Sequence, residues 1–573
     1  MNNLYPVYTL KNECHDCYRC VRECQVKAIK ILNGNASVIK DKCIACGHCV
    51  IACPANAKRV RNDIDKVKTL FIAKKQVYVS LAPTWAGVYD LQPGLMIALL
   101  KRLGFHAVSE TALGAQEVSI KATEWLKKQD NGLYISSACP VVVDYIRYYK
   151  PSFTKNIMPF ASPALTHAKM LKETFGEDIS VVFIGPCIGK KNEADRSPEL
   201  IDAALTFDEL NYWIKEEFIN PEDIAVGKED EFVPYSANEG ALYPIEGGMN
   251  ETIRMSGVGE NTFLINVSGL KSLDNSLDGL KVNKLNKKIF LEALACDSGC
   301  VNGPAKSSKR SGVKIVSEIL SKINFRENIP EEPTTVVDTD YEMNPVAKRE
   351  YSPDEIKDAM RKIGKTTEED ELNCGGCGYP TCRDLAKALL DGDAEPAMCV
   401  SYMRKMAIKK SSAMLRSMPA AIVMVDKDLN IVEANNMFLH MFCEDMYDIF
   451  ADREEGIKGA AIDRIVPFSD IFKKMLKTGC DIHKEHYPSK KRLYDINAFV
   501  IEKDEIVGAV ITDVTANETD REKIAIKAKE VITKNIATVQ EIACLLGEHM
   551  VETEKLLSSI AQDYSSDDSD EDK

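Results

Sequence analysis

No run of apolar residues in this chain approaches the ~18 that a helical membrane span needs. The first residues, Met1-Asn2-Asn3-Leu4-Tyr5-Pro6, carry neither a twin-arginine signal nor an apolar signal segment. Positive charge is in deficit, with 73 Lys and Arg against 87 Asp and Glu. The net charge of −14 argues against a nucleic-acid footprint and against an anionic membrane surface. No kinase or phosphatase motif occurs, and no internal repeat beyond one duplicated cysteine motif. Cysteine, by contrast, is abundant. Of 19 cysteines, sixteen sort into four sets of four. At metal-ligand spacing in a chain without an export signal, they are expected as thiolates in a reducing cytosol rather than as disulfides.

At 573 residues the chain should hold several domains, each with its own core. Residues 1–70 are compact and cysteine-dense. From 75 to 325 short apolar runs (Val77–Leu81, Gly132–Ile135, Ile179–Ile184) alternate with helical patterns such as Gly94–Leu103, which predicts largely parallel sheets. A Pro-, Glu- and Thr-rich linker, Asn328–Thr334, follows. Ser352-Pro353-Asp354-Glu355 then marks a helix start, with Ser at the cap, Pro at the first position and Glu at the third. Residues 350–410 hold a cysteine set, and 411–516 read as an α+β module. Over 517–562 apolar residues from Ile532 to Ile560 fall on a 4-3-4-3 spacing, a coiled-coil-like seam. The acidic tail 563–573 is expected to be disordered. The fold class is therefore multidomain, α/β and α+β.

Cys14, Cys17, Cys20 and Cys24 have C-x2-C-x2-C-x3-C spacing, and Cys43, Cys46, Cys49 and Cys53 repeat it. This is the bacterial two-cluster ferredoxin pattern, in which the fourth cysteine of each run ligates the other cluster. The pattern implies Cys14, Cys17, Cys20 and Cys53 for one 4Fe-4S cluster and Cys43, Cys46, Cys49 and Cys24 for the other. Structural zinc is the competing reading.

The fourth cysteine set is dispersed: Cys139, Cys187, Cys296 and Cys300, within Ser136-Ser137-Ala138-Cys139-Pro140, Gly185-Pro186-Cys187-Ile188-Gly189-Lys190 and Glu292-Ala293-Leu294-Ala295-Cys296-Asp297-Ser298-Gly299-Cys300. These stretches resemble the three cysteine signatures of the iron–iron (FeFe) hydrogenases, over about residues 1 to 310. The resemblance implies that the four cysteines hold an H-cluster: a 4Fe-4S cubane joined through Cys300 to a two-iron unit with CO, cyanide and a dithiolate bridge. Lys190 would donate to a cyanide and Glu193 would orient it. Ala82-Pro83-Thr84 matches the segment lining the dithiolate. The departures are as informative. Ala138 stands where the family has the cysteine that passes protons, and the next stations fall at Lys121 and Glu124, where a carboxylate is expected at both. Gly185 and Leu294 replace methionines. Slow turnover with metal binding retained is expected, since a proton relay contributes ~10²–10⁴-fold.

Cys374, Cys377, Cys382 and Cys399 resemble a small four-cysteine iron–sulfur domain, with zinc as the alternative. Residues 411–516 resemble a PAS domain without the cysteine-centred flavin motif. His440, His483 and His486 read as surface or satisfied histidines rather than haem ligands, and Cys443, Cys480 and Cys544 as apolar fillers. Together the resemblances identify a PAS-bearing sensory branch of the hydrogenase family. Its substrates would be dihydrogen and protons, and its redox partner ferredoxin or similar. The output would pass to a separate signalling protein of the kinase or phosphatase class, with a homodimer contact through the seam. An ordinary ferredoxin-dependent hydrogenase with a PAS dimerisation module and a non-enzymatic iron–sulfur electron carrier are the alternatives.

Overall fold

The computed structural model describes residues 4–73, 75–306, 310–335, 337–444, 457–489, 492–515 and 529–539. It divides into two units, Met1–Met403 and Arg404–Lys573. In the first unit four short strands, β1 (Val7–Thr9), β2 (Ile29–Leu32), β3 (Asn35–Val38) and β4 (Lys58–Val60), pair antiparallel as β1 with β4 and β2 with β3. Two five-residue helices, Arg19–Glu23 and His48–Ala52, carry the third cysteine of each run. The duplication extends to the backbone. Asp16, Tyr18 and Lys27 have φ of 51°, 56° and 50°, and their counterparts Ala45, Gly47 and Asn56 have 54°, 80° and 50°. Left-handed residues cost energy and persist where the surroundings fix them. Here they bend the loops that gather the sulfurs.

Seven strands follow: β5 (Val77–Leu81), β6 (Ala107–Glu110), β7 (Gly132–Ile135), β8 (Ser180–Gly185), β9 (Ala203–Thr206), β10 (Thr262–Ser268) and β11 (Lys288–Leu294). They form two wholly parallel sheets, in the orders β6-β5-β8-β9 and β10-β11-β7. Strands covered on both faces read as continuous apolar runs, which is why β5 and β8 are buried at every position and were visible in the sequence. Ligand sites of such sheets lie beyond the carboxyl ends of the strands.

Buried ion pairs tie the first domain to this one. Lys191, 1% exposed, donates to Asp63 (2.8 Å), Glu209 (2.9 Å) and the Ala204 carbonyl (2.7 Å). Arg61 bridges Asp63 and Asp195. Both pairings act on the helix Gly189–Arg196.

The stretch after residue 328 differs from a free linker. Glu117 accepts from the backbone of Thr334 (2.5 Å) and Thr335 (3.2 Å), and Thr335 Oγ1 donates to Glu173. Further along, Ala161 N donates to the Val337 carbonyl, Thr339 N to that of Pro159, and Tyr341 to that of Phe160. The carboxylates of two helices thus hold it down as a strap. Beyond it, Ser352 and Glu355 form the capping box that the sequence signals, opening the helix Pro353–Lys362. The helix Cys382–Asp391 follows, and the segment after it docks on the first domain through Lys42–Asp393 (2.5 Å) and Ile31 N to the Asp393 carbonyl (2.9 Å).

The second unit contains a five-stranded antiparallel sheet of β12 (Ala421–Asp426), β13 (Ile431–Ala434), β14 (Ile482–Ser489), β15 (Arg492–Glu502) and β16 (Ile506–Asp513), ordered β13-β12-β16-β15-β14. Asn435 caps the helix Asn436–Phe442. Phe438, Phe468, Phe472, Met475 and Tyr494 fill its core, with Cys443 among them. His440, His483 and His486 are exposed, as is Cys480. Of the seam over 517–562, residues 529–539 are helical, with Ile536 and Val539 exposed; the rest of it, Cys544 and the acidic tail lie outside the described residues.

Burial pushes the Asp63 carboxyl up, but Lys191 and Arg61 outweigh it and hold the group below its ordinary 3.8. The stability it contributes is therefore present above pH 3.8 and lost as pH falls through the lower folded value. Removing the cation, as in Lys191→Met, leaves Asp63 to Arg61 alone and Glu209 buried without a cation, and should cost about 3–5 kcal/mol. Urea unfolding would check this, and a variant within about 1 kcal/mol of wild type, as for an exposed pair, would refute it.

Candidate functional site

Four strand ends build the centre. β7 runs into Ser136–Cys139, and Cys139 caps the helix Pro140–Tyr149, with Pro140 at its first position. Burial pushes the Cys139 thiol up, and the backbone N–H groups of Val142, Ala295 and Val141 act against it, as a helix N-terminus favours anions. β8 runs into Gly185-Pro186-Cys187, and the helix after it carries Lys190 and, one turn on, Glu193. Lys190 Nζ donates to Glu193 (2.6 Å) and to Ser162 Oγ (2.7 Å). β11 leads to Cys296, and Ser298 and Gly299 at positive φ turn the chain back so that Cys300 faces the same place. Cys139, Cys187 and Cys300 each act electrostatically on Cys296, so the dispersed cysteines are brought together.

Beside them lies a cavity of about 100 Å³. Cys139, Cys187, Cys300 and Lys190 line it, with Ala82, Pro83 and Thr84 from the end of β5, Ala138, Leu294 and Glu292. Gly185 lies where there is no space for a side chain: a Cβ would sit 2.7 Å from both Ala82 and the Phe183 ring. A methionine, Met249, does line the cavity, from a different segment.

Lys121 and Glu124, expected as the next stations of a proton path outward, do not line this cavity themselves and lie farther along their helix, partly exposed. The helix Ala112–Lys127 meets the cavity with Ala112 and Ala115. Glu124 sits about 14 Å beyond Ala115 along the axis, at roughly 1.5 Å per residue. It is paired with Lys128 (2.5 Å) and Lys121 (4.0 Å), and Lys128 holds it below the usual carboxylate range.

Glu292 is the residue that sequence reading passed over. It is 1% exposed, its Oε2 accepts from Asn250 N (2.9 Å), and its buried Oε1 has no hydrogen-bond partner. Burial pushes it up to about 7. Glu246, exposed and held by Asn266 (2.9 Å) and Ser268 (2.7 Å), is near enough to raise it further. A carboxyl four residues before a motif cysteine was the available signal; its burial was not legible.

The other sets gather too. Cys14, Cys17, Cys20 and Cys53 line one cavity with Lys58. Cys46 feels Cys24 and Cys43, and Cys49 feels Cys46, Cys24 and Cys43. The fourth cysteines thus cross between runs. Cys374, Cys377, Cys382 and Cys399 line a third cavity. Gly47, in the Cys46 loop, presses on the centre: a Cβ there would lie 2.6 Å from Ile188 and 2.7 Å from Pro304. Cys46 is near enough to act on Cys296. On the other side, Cys24 and Cys377 both act on Lys27 and on Tyr379.

The donor chemistry fits metal clusters. Burial pushes Cys20, Cys43 and Cys187 up to about 11, so as bare groups they stay thiols, and a bound cation is what makes them thiolate ligands. Backbone N–H groups wait for that charge, with Ala28 N 3.3 Å from Cys24 Sγ and Ala45 N 3.4 Å from Cys43 Sγ.

Comparison with known proteins gives a consistent picture. Residues 75–304 match the model described as the C-terminal domain of the iron-only hydrogenase large subunit. Residues 6–54 match a 4Fe-4S dicluster domain, 370–401 an Fe-S cluster segment and 409–478 a PAS domain. The chain is 28% identical over 364 residues to iron hydrogenase 1 of Clostridium pasteurianum, which covers 51% of this chain and 63% of that one, under two thirds of its length. It is 28% identical over 290 residues to the periplasmic Fe hydrogenase large subunit of Nitratidesulfovibrio vulgaris (42% and 68%). Among solved structures, a variant FeFe-hydrogenase of Chlamydomonas reinhardtii aligns at 19% identity and TM-score 0.39, over 50% of this chain and all of that one. Among the described residues no helix is long and apolar enough to cross a membrane.

Because Glu292 binds its proton more tightly folded than unfolded, its contribution to stability should fall as pH rises from its ordinary 4.5 to about 7. Infrared difference spectra should show a buried carboxylic-acid band lost near pH 7 and absent from Glu292→Gln. A carboxyl already ionised at about pH 5, nearer the ordinary glutamate value, would contradict this.

Proposed function

We propose that this chain is a dihydrogen-responsive hydrogenase of low turnover. The premise is that residues 75–304 match the C-terminal domain of an iron-only hydrogenase large subunit, placed between a 4Fe-4S dicluster domain and a PAS domain. The reading is carried by one observation: Cys139, Cys187 and Cys300 line one cavity together with Lys190, Glu292 and an alanine at 138, and the fourth thiol, Cys296, is near enough to feel all three. Cys139, Cys187, Cys296 and Cys300 would hold an H-cluster. When bound, that group supplies the centre at which dihydrogen is split and its electrons are taken up.

The chain's own residues do the rest. Lys190 spends two N–H donors on Glu193 and Ser162, which leaves its third for an anionic ligand in the cavity. Ala138 offers no proton acceptor where a thiol would serve. Glu292, which lines the cavity and has a buried oxygen without a hydrogen-bond partner, would supply one instead, with Glu246 near it at the surface. A carboxyl near 7 is matched to proton exchange at neutral pH. Cys46, near enough to act on Cys296, and Cys24 and Cys377, which both act on Lys27, would order the cluster sites as a chain for electrons. It ends at two exposed sulfurs: Cys17 for a ferredoxin-like partner, and Cys374 in the segment that continues through the helix Val400–Ser417 to the PAS domain. The PAS domain and the helix after it would pass redox state to a separate signalling protein in the cytosol.

A second reading, an iron–sulfur electron carrier without turnover, is favoured by the missing proton donor at Ala138. Infrared spectra of the anaerobically matured protein with and without dihydrogen separate the two. CO and cyanide bands that respond to dihydrogen are expected, with about eighteen irons, four cubanes plus two. Absent bands would leave the carrier reading. Glu292→Gln should keep the bands and slow dihydrogen oxidation by about 10²–10⁴-fold; unchanged turnover would remove Glu292 from the route.

A further inference from the structure

The duplicated motif places Lys58 in β4 at the position that Ile29 fills in β2. Ile29 is 2% exposed, as an apolar residue should be there, and Lys58 is 3% exposed. The fold itself therefore has no need of a charge at this place. In the β1–β4 ladder Lys58 stands opposite Thr9, and its Nζ donates to Thr9 Oγ1 at 2.6 Å. A neutral hydroxyl does not balance a buried ammonium, and an uncompensated buried charge is costly. The compensation within reach is sulfur. Lys58 lines the cavity of Cys14, Cys17, Cys20 and Cys53, and its charge also acts on Cys43 and Cys49 of the other set. Asp16 lines the same cavity and opposes it, but its Oδ2 is engaged by the Tyr18 hydroxyl (2.8 Å).

We infer that Lys58 is a positioning residue for electrons, a fixed positive charge between the two N-terminal cluster sites that raises the reduction potentials of both together. The inference rests on the reading of these two sets as cluster ligands. Cluster potentials respond to local net charge and to hydrogen bonding around the sulfurs. A cation shared by two clusters favours the reduced, more negative state of each. It makes the pair a common reservoir in which electrons from the central site collect, ahead of either exit.

The experiment is a redox titration followed by electron paramagnetic resonance on the matured full chain and on Lys58→Met, Lys58→Gln and Lys58→Arg, with iron content measured for each. In the two neutral variants the reduction equilibrium constant of both clusters should fall about tenfold or more, 59 mV per tenfold for a one-electron couple. Lys58→Arg should stay within about threefold of wild type. Unchanged potentials, or a shift in one cluster alone, at wild-type iron content would overturn the assignment. If both neutral variants fail to load iron while Lys58→Arg loads, the residue serves assembly and the tuning role is overturned. A wild-type chain that loads no cluster at these sets would instead defeat the ligand reading on which the inference stands.

Discussion

Holding sulfur charge away from water is the constraint around which this chain is arranged. A buried thiol resists ionisation, as the upward displacement of Cys20, Cys43 and Cys187 to about 11 shows, and a thiolate without compensation would be expelled from the interior. The surroundings answer with what a polypeptide has: helix N-termini at Cys139, backbone N–H groups at Cys24 and Cys43, and ammonium groups at Lys58 and Lys190. None of these replaces a metal cation. Binding energy at such sites is also folding energy, so the close-fitting loops around each set, and the contacts between them, are held by the same event that fills the sites.

The central cavity pairs an alanine at 138 with a buried carboxyl at 292. Position 138 has no titratable group, and the helix Ala112–Lys127 meets the cavity with Ala112 and Ala115. Glu292, near the end of the buried strand β11, does line it, with the exposed Glu246 near enough to act on it. That placement has a physical cost: burial raises the Glu292 carboxyl to about 7, so its ionised form is disfavoured where it sits.

Cysteine spacing carried most of what could be read in advance, because a ligand set leaves its geometry in the sequence. The strands at Val77, Gly132 and Ser180 were legible as largely apolar runs because they are buried at nearly every position. What stayed hidden was polar and buried. Lys58 reads as a surface residue until its ladder partner is known, and Glu292 as part of a motif rather than of a cavity. β14 escaped notice because His483, Lys484, Glu485 and His486 are the residues of an exposed edge, with no alternating pattern. Asn328–Thr334 looked like a tether because Pro and Glu mark linkers, whereas Glu117 and Glu173, far away in sequence, bind the stretch just beyond it.

The docking of residues 393–395 on β2 and its hairpin joins the two ends of the first unit. A ribosome reaches the first cysteine sets long before it makes the segment that covers them. During that interval the Cys24 side of the dicluster domain stands open, with Lys27 and Arg22 lacking the neighbours they later acquire. Only the arrival of the last four-cysteine segment covers that side, so synthesis order leaves the first cysteine sets without part of their final surroundings until residue 395 has been added.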